Sequence, residues 1–160
     1  MCSIDVVKAL EKEHSTVKLF KGECAIAIID IDRFKSVNDT YGHDIGDRAI
    51  KHIAEILQVN TNSTDIVARA GGEEFCIVMP QQDMQQSLFK LEQIRKQIEL
   101  KPLVTDDYHI QMTVSIGLAS MLEANSSSQA MKFADTALYG AKEAGRNRVV
   151  QYNNRLKRKS

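Results

Sequence analysis

The sequence predicts a single α/β (α+β) domain whose central, mainly antiparallel sheet is flanked by helices. Two strand-like runs, residues 66–68 and 75–79, are joined across Gly71 and Gly72, which is the pattern of an antiparallel hairpin. A third run, residues 25–29, is continuously apolar, as is typical of a strand covered on both faces. Segments with helical periodicity lie between the strands, so we expect helices to cover the sheet.

Length and composition fit one globular domain without a global charge. The chain has 160 residues, 43% of them hydrophobic, which is enough to bury a core. Basic and acidic residues number 21 each, so no overall field draws the domain to nucleic acid or to a membrane. No apolar run approaches the roughly 20 residues of a spanning helix, and the N-terminus lacks a signal pattern. We expect a cytoplasmic domain in which any phosphate binding is local.

The cysteines and histidines argue against disulfides and zinc. Cys2, Cys24 and Cys76 are odd in number and form no CxxC pair, which suits a reducing compartment. Cys24 and Cys76 fall in predicted strands and are expected to be small buried hydrophobes. The four histidines lack metal-ligand spacing, so a zinc site is not expected.

The first half of the chain contains two predicted helices. One covers residues 3–18 and begins almost at residue 1, which suggests a domain cut from a longer protein. Residues 33–42 are polar and are predicted to form a turn region. A second helix follows, with apolar positions over residues 45–57 and Asp44 as its expected N-cap.

The second half contains two further helices and two further strands. An amphipathic helix begins near Met84 and ends at Lys101, before a proline. Strict alternation over residues 110–118 predicts one long, half-buried strand. The last helix covers about residues 130–141 with Gly145 as its C-terminal glycine, and two valines after it suggest a short closing strand.

Pairs of carboxylates occur at two chain bends. Asp30 and Asp32 end the first strand on the same side of it, and Glu73 and Glu74 follow the glycine pair. Each pair also has a simpler interpretation. Asp30 and Asp32 would mark the point where a strand reaches solvent, and Glu73 and Glu74 would belong to an ordinary solvent-exposed turn. Together they offer the oxygen ligands that Mg²⁺ uses beside substrate phosphates. Glycine tolerates positive φ and, lacking a Cβ, lets a ligand approach the backbone.

Four more polar residues allow two interpretations each. Asp47 falls at the third position of the helix capped by Asp44, where it would complement the helix dipole, or it could read a base edge together with Asn38. A carboxylate accepts hydrogen bonds from both N1–H and N2–H₂ of guanine, whereas adenine presents a lone pair at N1. Lys142 and Arg146 lie four residues apart and so can present two cations on one side of the last helix. They would either interact favourably with the helix C-terminus or bind phosphate groups.

Three segments then occur in a specific order: DIDRFKSVNDTYGHDIGD at residues 30–47, RAGGEEF at 69–75 and ADTALYGAKEAGRN at 134–147. This chain resembles the GGDEF family of diguanylate cyclases, here in its GGEEF form. The resemblance covers residues 1–152 and leaves 153–160 as a basic tail. It implies a palm-like fold with a ferredoxin-like core, as in nucleotidyl cyclases and polymerases. It also implies that a bacterial homodimer, with one GTP per subunit, makes cyclic di-GMP and two pyrophosphates.

The resemblance assigns metal binding and catalysis by position. Asp30, the main-chain carbonyl of Ile31 and Glu73 would hold Mg²⁺ or Mn²⁺, one or two ions per site, and Glu74 is a weaker candidate ligand. Glu73 is also the implied proton acceptor, and Lys35 would stabilise charge at the phosphates.

The resemblance also assigns substrate contacts. Asn38 and Asp47 would read guanine with His43 nearby, and Lys142 and Arg146 would hold the outer phosphates. The remaining implied contacts are Phe34, Gly71 and Gly72.

Two departures from the family pattern carry expectations. The inhibitory RxxD site would end at Asp65, but Asn62 stands where its arginine would be, so we expect weak or absent feedback inhibition. The opening Leu-Thr-Gly-Leu turn is missing, so the chain is expected to begin just after it. The full-length protein would then carry an upstream sensory or receiver domain, or a membrane anchor.

The main alternative is a catalytically weak module that binds GTP or cyclic di-GMP and regulates a neighbouring domain. Degenerate members of that class typically lose the hairpin acids or the guanine-reading residues, and all of these are present here. A cyclase that also accepts ATP is associated with loss of the acid at Asp47. A purely structural interaction domain would leave these side chains without a shared purpose.

Overall fold

The computed structural model describes residues 8, 11, 12 and 23–153. Residues 8, 11 and 12 are helical and belong to the helix predicted over residues 3–18. The rest of that predicted helix lies outside the described residues. No helix in the described part of the chain is both long and apolar enough to cross a membrane.

Residues 23–153 form seven strands and four helices. The strands are β1 (Cys24–Ile31), β2 (Ile66–Arg69), β3 (Glu74–Pro80), β4 (Leu103–Val104), β5 (His109–Ile110), β6 (Val114–Ser120) and β7 (Arg148–Gln151). The helices are α1 (Phe34–Tyr41), α2 (His43–Val59), α3 (Met84–Leu100) and α4 (Ser127–Glu143).

The main sheet has the strand order β2-β3-β1-β6-β7, and β4 pairs with β5 as a separate hairpin. All neighbours in the main sheet are antiparallel except β6 and β7, which are parallel. Strand β1 is central and buried along its whole length, as its continuous apolar run predicts. The predicted fold class, a mainly antiparallel sheet flanked by helices, is confirmed.

Alternate residues of β1 point into two hydrophobic clusters. Ala27 and Ile29 belong to the cluster that includes apolar residues of α2 and α3. Ile26 and Ile28 belong to the cluster that includes Ala134 of α4. The second cluster also contains Cys24 and Cys76, which are buried as expected. The sheet is therefore covered on both faces, and the ends of its strands are left to form a site.

The segment over residues 33–42, predicted to be a turn, is mostly the helix α1. The segment is mostly polar, but Phe34 and Val37 lie three residues apart and are both buried against the core. Because this burial depends on tertiary packing, local polarity was a poor guide to the backbone.

The predicted N-cap of the second helix is also wrong. Gly42, with φ of 92°, ends α1 and directly precedes α2, which begins at His43. Asp44 therefore lies in the first turn and makes no capping hydrogen bond with its side chain. Asp47 falls at the fifth helical position instead of the third, one turn after His43 on the same face.

The alternating run over residues 110–118 is not one strand. The chain leaves strand geometry between Ile110 and Val114, so that β5 pairs with β4 while β6 joins the main sheet. Strand β6 is also buried at six of its seven positions instead of being half-buried. Its small residues, including Gly117, allow α4 to cover the face that alternation had assigned to solvent.

The contact between α4 and β6 is close enough to require glycine at position 117. A Cβ there would lie 2.0 Å from the carbonyl oxygen of Ala134 and 2.3 Å from the backbone nitrogen of Leu138. Both atoms are main-chain atoms of a helix, so neither can move without moving α4.

We therefore predict that Gly117→Ala lowers the free energy of unfolding by about 2–3 kcal/mol, because α4 must shift to admit a methyl group. Urea denaturation followed by circular dichroism would measure this loss. The matched control is Gly72→Ala, where an added Cβ meets no heavy atom within 4 Å. Equal stability of the two variants would contradict the close contact between α4 and β6.

Candidate active site

The pairing of β1 with β3 brings the two acidic chain bends together. Asp30 stands directly opposite Glu74 in the antiparallel register. Beyond that pair, the N–H of Ile31 donates to the carbonyl oxygen of Glu73 at 3.2 Å. The two bends predicted from the sequence are thus adjacent strand ends, linked by main-chain hydrogen bonds.

The hairpin tip is held by an arginine side chain. Arg69 donates from Nη2 to the carbonyl oxygen of Gly72 at 2.7 Å and from Nε to that of Gly71 at 3.1 Å. Neither glycine has positive φ, so this turn does not use the left-handed conformations that glycine tolerates. The expectation of an open backbone agrees with the free space around Gly72. No role was predicted for Arg69, although it is the first residue of the hairpin motif.

The strand ends border a cavity of about 180 Å³, which we call the carboxylate cavity. Three acidic and four basic residues line it, and most of them were candidates from the sequence. Its lining residues are Asp30, Ile31, Asp32, Arg33, Phe34, Lys35, Glu73, Lys142 and Arg146. Glu74 lies beside Asp30 on the neighbouring strand but does not line this cavity.

A second cavity, of about 330 Å³, lies between α1, α2 and the hairpin, and we call it the helix cavity. It shares Phe34, Lys35 and Glu73 with the carboxylate cavity, so the two are neighbours. The residues found only in the helix cavity are Asn38, His43, Asp47, Ile50, Arg69 and Gly72. The structure therefore brings together every predicted base-reading residue, whereas Gly71 lines neither cavity.

Asn38 owes its position to a glycine on the facing helix. A Cβ at Gly46 would lie 1.8 Å from Oδ1 of Asn38, so any side chain there would displace the amide. Gly46 is buried within α2, one residue before Asp47. Sequence reasoning missed Gly46, and the signal available was a glycine inside an otherwise helical pattern.

Two basic residues reach the carboxylate cavity from the end of α4. Nζ of Lys142 makes a short hydrogen-bonded ion pair with Oδ2 of Asp30. Arg146 lies beyond the end of α4 and has left-handed backbone geometry, with φ of 66°. The predicted i, i+4 relation on one helix is thus wrong, although both cations line the cavity.

Burial raises the pKa values of two carboxyl groups at the strand ends, Asp30 and Glu74. Burial raises the pKa of Asp30, although the hydrogen bond and charge of Lys142 partly oppose it, and Glu73 adds to the rise. Burial and the charge of Asp30 likewise raise the pKa of Glu74. Because both pKa values are raised on folding, the folded protein retains these protons to higher pH. Its stability therefore falls as the pH rises from the ordinary carboxyl range through the raised values.

Asp32 differs from Asp30 because its acceptors are already used. Its carboxylate accepts from Oγ1 of Thr113 at 2.7 Å, from Oγ of Ser115 at 2.6 Å and from the N–H of Asn147 at 3.0 Å. The sequence paired the two aspartates as candidates for one cation. In the structure Asp32 joins β1, β6 and the turn after α4, whereas Asp30 pairs with the side chain of Lys142.

The donor set around the carboxylate cavity is made of oxygen atoms. In the described part of the chain, no three His, Cys, Asp or Glu side chains converge closely enough to hold a metal ion by themselves. Two carboxylates, Asp30 and Glu73, and the backbone at Ile31 meet there. This set fits a hard cation such as Mg²⁺, which typically takes one or two carboxylates and completes its shell with water and phosphate oxygens.

The side chain of Asp65, at the end of the window where the inhibitory motif would lie, is fully buried. Its carboxylate pairs with Nζ of Lys90 at 2.6 Å and accepts from Nε2 of Gln82 at 2.9 Å. It also accepts from the N–H of Asn62 at 2.8 Å. These contacts tie the segment before β2 to helix α3, and they leave Asp65 facing protein groups instead of solvent.

Comparison with known proteins agrees with this arrangement. Residues 6–148 match the family described as diguanylate cyclase, GGDEF domain. The chain is 39% identical over 137 residues to diguanylate cyclase A of Treponema denticola, covering 85% of this chain and 37% of that protein. It is 40% identical over 128 residues to the probable diguanylate cyclase DgcT of Escherichia coli, covering 78% of this chain and 28% of that protein. The chain thus spans well under half the length of these relatives.

Solved structures give the same answer. The GGDEF domain of DgcB from Caulobacter crescentus, in complex with c-di-GMP, superposes with a TM-score of 0.86 at 32% identity, covering 90% of this chain and 86% of that one. The active GGEEF domain of a diguanylate cyclase from Vibrio cholerae superposes with a TM-score of 0.87 at 28% identity, covering 94% and 96%. By sequence and by fold, this chain belongs to the GGDEF domain family of diguanylate cyclases.

Proposed function

We propose that this domain condenses two molecules of GTP into cyclic di-GMP and two pyrophosphates, acting as a homodimer with one GTP per subunit. The main observation in support of this proposal is that the helix cavity and the carboxylate cavity are adjacent and share three lining residues. One combines the carboxylates of Asp30 and Glu73 with basic side chains, and the other combines Asn38 with Asp47. A nucleoside triphosphate needs both environments, because its base and its phosphates differ in charge and in hydrogen-bonding pattern.

The helix cavity suits guanine. Its volume of about 330 Å³ is within the range of small-molecule sites. A carboxylate at Asp47 would accept from N1–H and N2–H₂ together, and the amide of Asn38 supplies both a donor and an acceptor. Phe34 and His43 also line this cavity and would complete the contact with the base.

The carboxylate cavity suits a triphosphate with a divalent cation. Asp30, the main-chain carbonyl of Ile31 and Glu73 would hold Mg²⁺ or Mn²⁺, and Glu74 is a further candidate ligand for a second ion. When bound, the cation would polarise the α-phosphate and neutralise charge on the departing pyrophosphate. Lys142 pairs with Asp30, and it would exchange that contact for a phosphate oxygen when the nucleotide binds.

The remaining chemistry falls to the side chains of this domain. Glu73 would accept the proton of the attacking 3′-hydroxyl, since it borders both cavities. Lys35, Lys142 and Arg146 would stabilise the negative charge that develops as the bond between the α- and β-phosphates breaks. Each turnover forms two 3′,5′-phosphodiester bonds and breaks two phosphoanhydride bonds.

Dimerisation follows from the chemistry of ring closure. One subunit holds one GTP, so it presents one 3′-hydroxyl and one α-phosphate, and these cannot close a ring with each other. Two subunits facing each other would present both pairs. Because this chain spans only part of its relatives' length, we further propose that other segments of the full-length protein control how two such domains meet. The proposed location of this domain is the cytoplasm.

The first test is turnover. We predict that the domain with GTP and Mg²⁺ forms cyclic di-GMP, with a specific activity that rises with protein concentration because two subunits must meet. Glu73→Gln should lower turnover by at least about 100-fold, because the proton acceptor is lost in a nearly isosteric change. Chromatographic separation of the nucleotides would measure both effects.

The matched control for that test is Glu123→Gln, on an exposed glutamate away from both cavities. Full turnover by Glu73→Gln would remove this residue from the mechanism. GTP or product binding without any turnover in the unmodified protein would favour the regulatory-module alternative.

The second test concerns base selectivity. We predict that Asp47→Ser reduces the preference for GTP over ATP by about tenfold or more, because a charged acceptor for two guanine donors is removed. Competition binding with the two nucleotides would measure the ratio. Asp39→Ser is the control, since Asp39 is an exposed acid on α1 that lines neither cavity. An unchanged ratio in Asp47→Ser would refute the proposed role.

The third test concerns feedback. We propose that the product does not inhibit through the RxxD position, because Asp65 is committed to Lys90 and the arginine is absent. Titration with cyclic di-GMP should therefore leave the nuclear magnetic resonance signals of residues 62–65 unmoved. A tightly bound product dimer that shifts the signal of Asp65 would contradict this.

A further inference from the structure

The turn that follows α4 has an unusual backbone. Gly145, Arg146 and Asn147 have φ values of 122°, 66° and 46°, so three successive residues are left-handed. For residues other than glycine this conformation costs roughly 1 kcal/mol or more each, and it persists only where the surroundings hold it. This strained turn borders the carboxylate cavity, so other groups must hold it in place.

Part of the restraint comes from the helix itself. The N–H of Arg146 donates to the carbonyl oxygen of Ala141 at 3.0 Å, which closes the end of α4 around Gly145. Nε of Arg148 donates to the carbonyl oxygen of Arg146 at 3.0 Å. These bonds involve the main chain of Arg146 and leave its guanidinium unrestrained.

Asn147 supplies the rest of the restraint. Its N–H donates to Oδ2 of Asp32 at 3.0 Å. Its side-chain Oδ1 accepts from Nη1 of Arg95 at 3.0 Å, and its Nδ2 donates to Oε2 of Glu99 at 2.5 Å. The amide therefore has a partner at each end, and both partners lie on α3.

The partners of Asn147 are fixed in turn. Asp32 is buried and bonded to Thr113 and Ser115 beside and on β6. Arg95 also pairs with Glu92 and Glu99 on its own helix. A continuous polar network thus runs from β6 through the turn to α3, and Asn147 is the residue that joins its two halves.

We propose that Asp32 and Asn147 are positioning residues for Arg146, which they hold at the carboxylate cavity through the backbone of the turn. Within residues 23–153 the guanidinium of Arg146 makes no hydrogen bond or ion pair. The position of this side chain at the cavity therefore depends on the backbone of the turn. The inference rests on the proposed function, in which Arg146 binds the outer phosphates of GTP. It assigns Asp32 a role that excludes it from metal binding.

A merely structural role for the network would look different. If the network only stabilised the fold, its loss would weaken all nucleotide binding alike or none of it. If it positions Arg146, its loss should affect only ligands that have outer phosphates. Guanosine monophosphate and a non-hydrolysable GTP analogue share the base and the α-phosphate, so the pair separates the two cases.

The experiment is calorimetric titration of both nucleotides, with Mg²⁺, into Arg146→Ala, Asn147→Ala and the double variant. We expect each single variant to lose about tenfold in affinity for the analogue and little for the monophosphate, as for loss of one charge-assisted contact. The double variant should be no weaker than Arg146→Ala, because Asn147 acts through Arg146. Additive losses, or equal losses for both nucleotides, would overturn the proposal.

Two further variants keep the result interpretable. Asn147→Gly retains the left-handed backbone but lacks the amide, so it should behave like Asn147→Ala if the hydrogen bonds matter, and recover affinity if only the backbone does. Recovery would overturn the role of the Asn147 side chain. If Asn147→Ala does not fold, Arg95→Met removes a donor to Asn147 from outside both cavities and should show the same selective loss.

The outcomes also separate this inference from the proposed function. An analogue affinity unchanged by Arg146→Ala would overturn both the phosphate role of Arg146 and the inference, while turnover by the unmodified domain would still support the cyclase. Selective loss in Arg146→Ala without any loss in Asn147→Ala or Asp32→Asn would overturn the inference alone.

Discussion

The antiparallel pairing of β1 with β3 is the constraint on which the site depends. It fixes Asp30 opposite Glu74 and joins the backbone of Ile31 to that of Glu73, so two acidic bends 43 positions apart in sequence share one edge of the sheet. A register slip of one residue would turn the side chains of β1 to opposite faces. Because alternate residues of β1 feed two buried clusters, the hydrophobic core itself enforces this register.

Bringing these carboxylates together has an electrostatic cost that the fold meets with a lysine. Burial and the charges of neighbouring carboxylates raise the pKa of both Asp30 and Glu74, and Lys142 opposes each rise. The folded domain therefore places carboxylates whose negative charge is disfavoured beside the basic side chains of Lys142 and Arg146. Such a site is poised to accept a cation and a polyanion together, because each would relieve repulsion that the other members of the cluster feel.

Local sequence patterns predicted much of the architecture, and the elements that were predicted wrongly have physical explanations. The continuous apolar run of β1, the glycine-centred hairpin and Gly145 as the end of α4 were all predicted correctly. Helix α1 was missed because only tertiary packing buries Phe34 and Val37. The break after Ile110 was missed because alternation alone does not reveal which sheet a strand joins.

The site was partly readable as well. Spacing suggested that the acids would converge, but the roles of individual residues came from family resemblance and remain proposals. The hydrogen bonds of Asp32 come from residues 81, 83 and 115 positions away in sequence, which no local pattern reports. The left-handed geometry of Arg146 was likewise not predicted, because its four-residue spacing from Lys142 was interpreted as one helix face although Gly145, between them, was predicted to end the helix.

The glycine at position 46 bears on how such a domain can lose its activity. The amide of Asn38 occupies the space that a side chain at Gly46 would fill, since a Cβ there would lie 1.8 Å from Oδ1 of Asn38 and the amide would have to move away. One substitution at this buried point could abolish recognition of the base while every acid and every cation stayed intact. An inventory of charged motif residues would then still describe a working enzyme, so silent members of such a family are better sought among their small helical residues.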